Sequence, residues 1–259
     1  MNKRKSLAIL GANGLLGKGL TQYLSSKFDI TPIIRENYIQ NKGKQFDIFI
    51  NANGNSKRFW ALKNVYKDFE LSTVSVYKTF FDFKFKRYIY ISSSDVYPNH
   101  DNPKANLEDN IINVSNLNNY GLHKYLSELI IKSNLGNYLI LRCSMILGVQ
   151  LKKGPFFDIV NNKPLFITPN SRLQLITTLA ISEIINMLLL TKIKNKIFNV
   201  GGEGAVSFDH INKYFRTSIK WSKKALHQHY EMNVSKLKAK YEVKKSDEYL
   251  KDWLNEQKM

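Results

Sequence analysis

An α/β fold with a doubly wound parallel sheet is predicted by three features of the sequence. Strand-like stretches alternate with helical periodicities as far as Val200, the pattern that needs crossover connections and parallel strands. A glycine-spaced turn joins the first strand to the first helix. From residue 146 the character changes to short elements punctuated by Gly148, Gly154, Pro155, Pro164 and Pro169, which predicts a smaller appended lobe.

In chain order, Ser6–Leu10 reads as a short buried strand. The following helix carries Leu16, Leu20, Tyr23 and Leu24 on one face. Ile30–Ile34 and Asp47–Asn51 are the next strands, and Trp60–Phe83 is mostly helical. Arg87–Ile91 is a strand running into Ser92-Ser93-Ser94. Asn118–Ser133 is a helix, with the strand Tyr138–Leu141 after it. A helix over 178–190 precedes the strand Ile197–Val200, and the basic tail from 207 reads as helical. These boundaries predict a dinucleotide-binding domain over 1–145, with 178–200 returning to it. Residues 146–177 and 201–259 form a small C-terminal substrate-binding lobe.

Composition narrows the function classes. At 259 residues and 43% hydrophobic, the chain can bury a large core and is not disordered. No apolar run approaches the roughly 20 residues of a membrane span. The start, Met1-Asn2-Lys3-Arg4-Lys5, lacks the apolar stretch of a secretory signal. The single cysteine, Cys143, has no partner for an internal disulfide. It reads as a small buried residue in a reducing, cytoplasmic setting. The formal charge is +18, spread along the whole length with its largest share over 192–259. A diffuse excess suits an anionic small molecule better than a nucleic-acid groove. His227 and His229 lack carboxylate or thiol company, so no metal site is expected.

Gly11-Ala12-Asn13-Gly14-Leu15-Leu16-Gly17 sits between a strand and a helix. Glycines there permit a tight turn and let backbone N–H groups approach a pyrophosphate. The helix N-terminus adds partial positive charge. The fold is thus Rossmann-like. Eighteen residues after Gly17 stands Arg35. An acidic residue there would bind the ribose hydroxyls of NAD, whereas an arginine suits the 2′-phosphate of NADP. NADP is the expected cofactor, with NAD as the alternative. Only 11 residues separate Arg35 from Asp47, too few for a full crossover. The strand beyond the second is therefore expected to be missing, or a stub near Tyr38–Gln40.

Tyr120 and Lys124 lie at i and i+4, on one helix face. A free phenol has a pKa of about 10. A neighbouring ammonium lowers it and lets the tyrosine act as general acid or base at a carbonyl or alcohol carbon. Tyr90-Ile-Ser-Ser-Ser-Asp-Val-Tyr97, the helix Tyr120–Glu128 and Asn51-Ala52-Asn53 follow the glycine motif in order. So do Leu141–Gly148 and Ile197–Ser207. Together they resemble the extended branch of the short-chain dehydrogenase/reductase superfamily, the NAD-dependent epimerase/dehydratase family of nucleotide-sugar enzymes.

The resemblance implies catalysis by Ser93, Tyr120 and Lys124. It implies cofactor contacts from Gly11, Asn13, Gly14, Leu15, Leu16, Gly17, Arg35, Asn51, Ala52, Asn53, Tyr120 and Lys124. Substrate contacts are expected from Ser94, Asp95, Arg142 and Arg172, with Arg172 the first choice for a substrate pyrophosphate. It further implies NADPH-dependent reduction of a 4-keto (deoxy)sugar nucleotide in polysaccharide biosynthesis. The alternatives are an epimerase or dehydratase with retained NAD, or a non-catalytic NADP sensor or RNA binder. Asp95 supplies half of the acidic pair that a dehydratase needs, and Ser94 stands at the other half. Ser72 occupies a position where the family often has Asn. Phe156 and Phe166 are assigned to the core, and His123 is expected to point away from the cofactor. Two long helices, about 57–83 and 118–134, are expected to pair in a homodimer.

Overall fold

The computed structural model describes residues 4–215 and 218–257; the basic start Met1–Lys3 and the last two residues of the lobe lie outside them. Strand β1 (Ser6–Leu10) leads through the glycine turn into α1 (Leu15–Leu24) and then β2 (Asp29–Ile33). A 3-10 turn at Arg35–Asn37 and the short α2 (Tyr38–Asn41) return the chain to β3 (Gln45–Asn51). Next come α3 (Arg58–Lys63), α4 (Val65–Phe69), a π-helical turn at Glu70–Val74 and α5 (Ser75–Asp82). Strand β4 (Lys84–Ser93) precedes α6 (Asn119–Asn134) and β5 (Tyr138–Cys143). The chain then forms β6 (Met145–Leu147), α7 (Pro155–Val160), β7 (Leu165–Ile167), β8 (Arg172–Leu173) and β9 (Leu175–Thr177). Helix α8 (Thr178–Leu190) and β10 (Lys196–Val200) follow. Last are β11 (Val206–Ser207), β12 (Trp221–Leu226), β13 (His229–Tyr230), α9 (Ser235–Lys238) and α10 (Ser246–Glu256).

Six strands make one parallel sheet in the order β10-β5-β4-β3-β1-β2. Alternation along each strand feeds two cores. Leu7, Ile9, Ile48, Ile50 and Ile89 meet Leu16 and Leu20 of α1 and Ile181, Ile184 and Leu188 of α8 on one face. Ala8, Leu10, Phe49, Tyr88 and Ile140 meet Val76 of α5 and Ile131 of α6 on the other. The connections leave β1 in opposite directions, toward β2 and toward β3. The crevice above their C-terminal ends is the switch point where such sheets bind ligands.

The expected strand beyond β2 is missing. Its stub at Tyr38–Gln40 is instead a helical turn, held down by Tyr38 Oη donating to Asp82 at 2.7 Å and by the Lys42–Asp82 ion pair at 3.1 Å. The long helix expected over Trp60–Phe83 is broken at Asn64, whose backbone leaves the helical region, and widens into the π turn at Glu70–Val74.

The expectation of a helical tail from 207 is corrected. β12 pairs with β7 and β13 with β8, so Trp221–Tyr230 is extended. Unpaired edges of the lobe take up this segment, and pairing overrides local preference. The lobe has its own core, with Phe156, Leu165, Leu173, Phe208, Leu250 and Trp253. Phe166 is not part of it. It points outward, 56% exposed, because its neighbours Leu165 and Ile167 take the inward positions of β7.

Candidate active site

Gly11 follows β1 with φ +85°. A Cβ there would come within 2.9 Å of the Ala52 carbonyl and the Asn53 nitrogen. Only glycine allows both the left-handed backbone and this approach of the β1 and β3 ends. Gly14 caps α1 in extended conformation, and a methyl on Gly17 would overlap the Gly11 carbonyl. Asn13 and Gly14 form the exposed tip. The first-turn amides of Leu15 and Leu16 have no acceptor within their helix, and no acidic side chain stands in that turn. The Leu16 side chain itself belongs to the core. This cradle of glycines and free helix amides fits a dinucleotide pyrophosphate.

Arg35, exposed just past β2, stands at the lip of an open cleft of about 270 Å³. Asn53, Gly54, Asn55, Lys57, Trp60 and Leu71 complete its lining, which contains no carboxylate. The expectation of a side-chain cofactor contact from Asn51 is corrected. Asn51 is fully buried, donates to Tyr88 Oη at 2.8 Å and accepts from the Asn53 amide at 3.0 Å. It shapes the loop, and Ala52 is tied by its N–H to the Leu10 carbonyl at 3.0 Å.

The catalytic candidates converge. Asn118 caps α6 by accepting from the Gly121 amide at 3.0 Å, which starts the helix where Tyr120 and Lys124 turn inward. Gly121 has a role that sequence reasoning missed: any Cβ there would strike the Asp95 carbonyl, so glycine lets α6 lie against the turn after β4. Ser93 Oγ begins that turn, accepting from the Asp95 amide at 3.2 Å and donating to Asp95 Oδ2 at 3.0 Å. Burial pushes the Tyr120 phenol up to about 12, although the Lys124 charge and the Ser93 hydroxyl pull it down. The expected lowering by Lys124 is present but does not prevail, so Tyr120 holds its proton. Lys124 Nζ reaches the Ile91 carbonyl at 3.4 Å and faces Gly54. Ser72 Oγ, in the π turn, also faces Gly54. It is buried without a hydrogen-bond partner among the described residues. An unpartnered hydroxyl beside a buried ammonium marks a place made for a polar ligand, and π turns often sit at such places.

Around this centre lie residues that spacing alone did not single out. Arg58 meets Asp95 at 3.4 Å and lies over the Tyr230 ring, and Tyr230 Oη is 3.5 Å from Asp95. Asp95 thereby joins α3, the β4 turn and the lobe, with Ser94 buried beside it. The His123 ring is buried and contacts buried Asp68 at 2.6 Å. Asp68 also accepts from Asn55 at 2.8 Å, tying the cleft loop through His123 to α6. Lys153 of the lobe donates to Ser56 on the same loop. Arg172 is exposed on β8, beside the strand of Tyr230. Burial raises the Cys143 thiol to about 12, which leaves it unreactive.

Arg142 requires a correction. It is 2% exposed. Its guanidinium binds Glu128 at 2.7 Å and Tyr97 Oη at 2.8 Å, and Glu128 also accepts from Ser92 at 2.5 Å. Burial opposes its charge, but Glu128 and Tyr97 more than offset that and raise its pKa. It has no group free for a substrate phosphate. A Glu eight residues after Tyr120 was visible in the sequence, but nothing there marked it as the partner of a strand arginine.

A family model described as the NAD dependent epimerase/dehydratase family matches residues 7–158. No curated protein sequence matches the chain significantly. Among solved structures, the chain is similar to dTDP-4-dehydrorhamnose reductase from Bacillus anthracis in complex with NADP. The identity is 18% and the TM-score 0.82, with 99% of each chain covered. The Clostridium acetobutylicum dTDP-4-dehydrorhamnose reductase is 15% identical at TM-score 0.81, over 98% of this chain and 100% of that one. UDP-glucuronic acid 4-epimerase from Bacillus cereus, with UDP-glucuronic acid and NAD, is 18% identical at TM-score 0.78, over 96% and 99%. The family model covers more than half of the chain, and the glycine cradle and the Tyr120–Lys124 pair lie within it. The chain therefore belongs to the NAD-dependent epimerase/dehydratase family, and is a nicotinamide-dependent enzyme of the extended short-chain dehydrogenase/reductase superfamily.

Proposed function

We propose that this protein is an NADPH-dependent reductase of a nucleotide-linked 4-keto (deoxy)sugar. The observation that carries this reading is Arg35 at the lip of a cleft whose lining has cations and no carboxylate. That setting favours a 2′-phosphate over free ribose hydroxyls. The glycine cradle would hold the pyrophosphate, Ala52 and Asn53 would border it, and Lys124 with Ser72 would meet the nicotinamide-side ribose. The bound cofactor supplies the hydride.

The protein's own part is the proton. Ser93 Oγ would turn its one proton from Asp95 to the carbonyl oxygen of the substrate, and Tyr120 Oη donates its proton to that oxygen as it becomes a hydroxyl. Burial keeps Tyr120 in the protonated form that reduction requires. Ser94 and Asp95 border the sugar. The lobe formed by 146–177 and 201–259 receives the nucleotide, with Arg172 available for its phosphates. The fold shared with a reductase crystallised with NADP supports the same direction. Asp95 is already engaged by Ser93 and Arg58, and position 94 is a serine, so the acidic pair of a dehydratase is not formed.

Calorimetric titration with NADP(H) and NAD(H) tests the reading. Wild type is expected to prefer NADP(H). Arg35→Ala is expected to weaken that binding by about 1.5–3 kcal/mol, the scale of a hydrogen bond to a charged group, with little change for NAD(H). A preference for NAD(H) would turn the assignment to a retained-cofactor epimerase. Turnover of 4-keto sugar nucleotides with NADPH, strongly reduced in Tyr120→Phe, completes the test.

A further inference from the structure

We propose that Lys57 and Trp60 build the adenosine end of the cofactor site, in place of the wall that the short β2–β3 connection does not supply. The proposal rests on the NADP reading above and extends it to two residues that no motif marked.

Three observations converge. First, the connection over residues 34–44 contains only the turn at Arg35–Asn37 and α2, and α2 is anchored away from the cleft through Tyr38 and Lys42 to Asp82. Beyond Arg35, nothing from the β2 side lines the cleft. Second, the opposite bank is furnished by the loop after β3 and the start of α3, where Lys57 and Trp60 line the same cleft as Arg35. Trp60 is half-buried and offers a large flat ring at the cleft wall. Third, the positive charge there is unmatched. Neither Arg35, Lys57 nor Lys153 has an ion-pair partner among the described residues, although eleven ion pairs exist elsewhere. Lys153 donates to Ser56, the residue before Lys57, at 2.7 Å, and its pKa is lowered to about 8 by burial and by the Lys57 charge.

Converging cations without a carboxylate call for an anionic ligand, and a ring on the same wall calls for a planar one. A nucleoside carrying a 2′-phosphate meets both demands. Lys57 and Arg35 would share the phosphate from opposite banks, and Trp60 would take the face of the base, an interaction that tolerates any base because each has a π face.

Adenosine 2′,5′-bisphosphate and 5′-AMP isolate this end of the cofactor, and both are titrated by calorimetry and by tryptophan fluorescence. Wild type is expected to bind the bisphosphate more tightly than 5′-AMP, with quenching that disappears in Trp60→Leu. Lys57→Met is expected to weaken the bisphosphate five- to twenty-fold and 5′-AMP less than two-fold, with Lys57→Arg restoring most of the loss. Trp60→Leu is expected to weaken both ligands about tenfold. Lys57 is exposed just before α3 and Trp60 is half-buried within it, and circular dichroism with thermal melting confirms that the variants are folded. If Arg35→Ala loses discrimination but the Lys57 and Trp60 variants bind as wild type does, this proposal falls and the NADP reading stands. If wild type binds the two ligands equally, the 2′-phosphate reading falls, and the role of Lys57 with it.

Discussion

In the proposed reaction Tyr120 concentrates the chemistry of the site into one proton. Its phenol is buried, and burial outweighs the pull of Lys124. The ordinary phenol value is about 10, so the free protein keeps this proton well into the alkaline range. Ultraviolet difference titration of wild type against Tyr120→Phe should show no ionisation of Tyr120 below pH 10. Its folded pKa exceeds its unfolded one, so this group supports folding below about pH 10 and that support is lost as pH rises toward about 12. Tyr120→Phe should lower the reduction rate by about 10²–10⁴-fold, the usual worth of general acid catalysis, with a far smaller effect on cofactor affinity. Arg142 shows the opposite fate for a polar side chain. With Glu128 it forms a buried ion pair, at 2% and 0% exposure, beneath the Ser92–Ser94 segment. Glu128→Ala should cost about 3–5 kcal/mol in denaturant unfolding, because it leaves a buried guanidinium without its counter-charge. Lys67→Ala, which breaks an exposed pair, should cost under about 1 kcal/mol.

Among the elements, α6 and the turn after β4 must touch for the site to exist. Gly121 makes that contact, since a methyl there would overlap the Asp95 carbonyl. Gly121→Ala should destabilise by about 1–3 kcal/mol, as overpacking does, and should cut turnover more than cofactor binding. A variant with full activity would show that α6 can shift without disturbing Ser93 and Tyr120. The helix and strand elements carrying the glycine turn and the Tyr120–Lys124 pair were legible in sequence because their signals are local: a strand, three spaced glycines, an i,i+4 pair. The break of the α3–α5 segment into a π turn was not, because it depends on packing against α6 and on where Ser72 must face.

At the scale of the molecule, α3 to α5 lie along α6 and leave Phe59, Tyr66, Phe81 and Leu129 exposed, at 59%, 75%, 73% and 37%. Apolar side chains at this density, on the helices expected to pair in a homodimer, predict self-association. Sedimentation velocity should show a dimer that Tyr66→Glu with Phe81→Glu converts to monomer. A wild-type monomer at all concentrations would remove that expectation. No helix among the described residues is long and apolar enough to cross a membrane. Surface pairs such as Lys86–Asp47, Lys238–Glu203 and Lys244–Asp252 match part of the positive charge and leave the net +18, and among the described residues none of the ion pairs involves Arg35 or Lys57 of the cleft.

By itself the sequence determined the parallel sheet, the glycine turn, the missing strand after β2 and the approach of Tyr120 to Lys124. Each depends on neighbours within about one element of each other, where spacing dictates geometry. Tertiary structure alone decided the rest. Residues 221–230 became strands because β7 and β8 had edges to fill. Arg142 and Asn51 were withdrawn from the site by buried partners on other elements. Lys57 and Trp60 came to line the same cleft as Arg35. What a charge or a ring does depends on what lies opposite it, and for these residues the opposite group comes from a distant part of the chain.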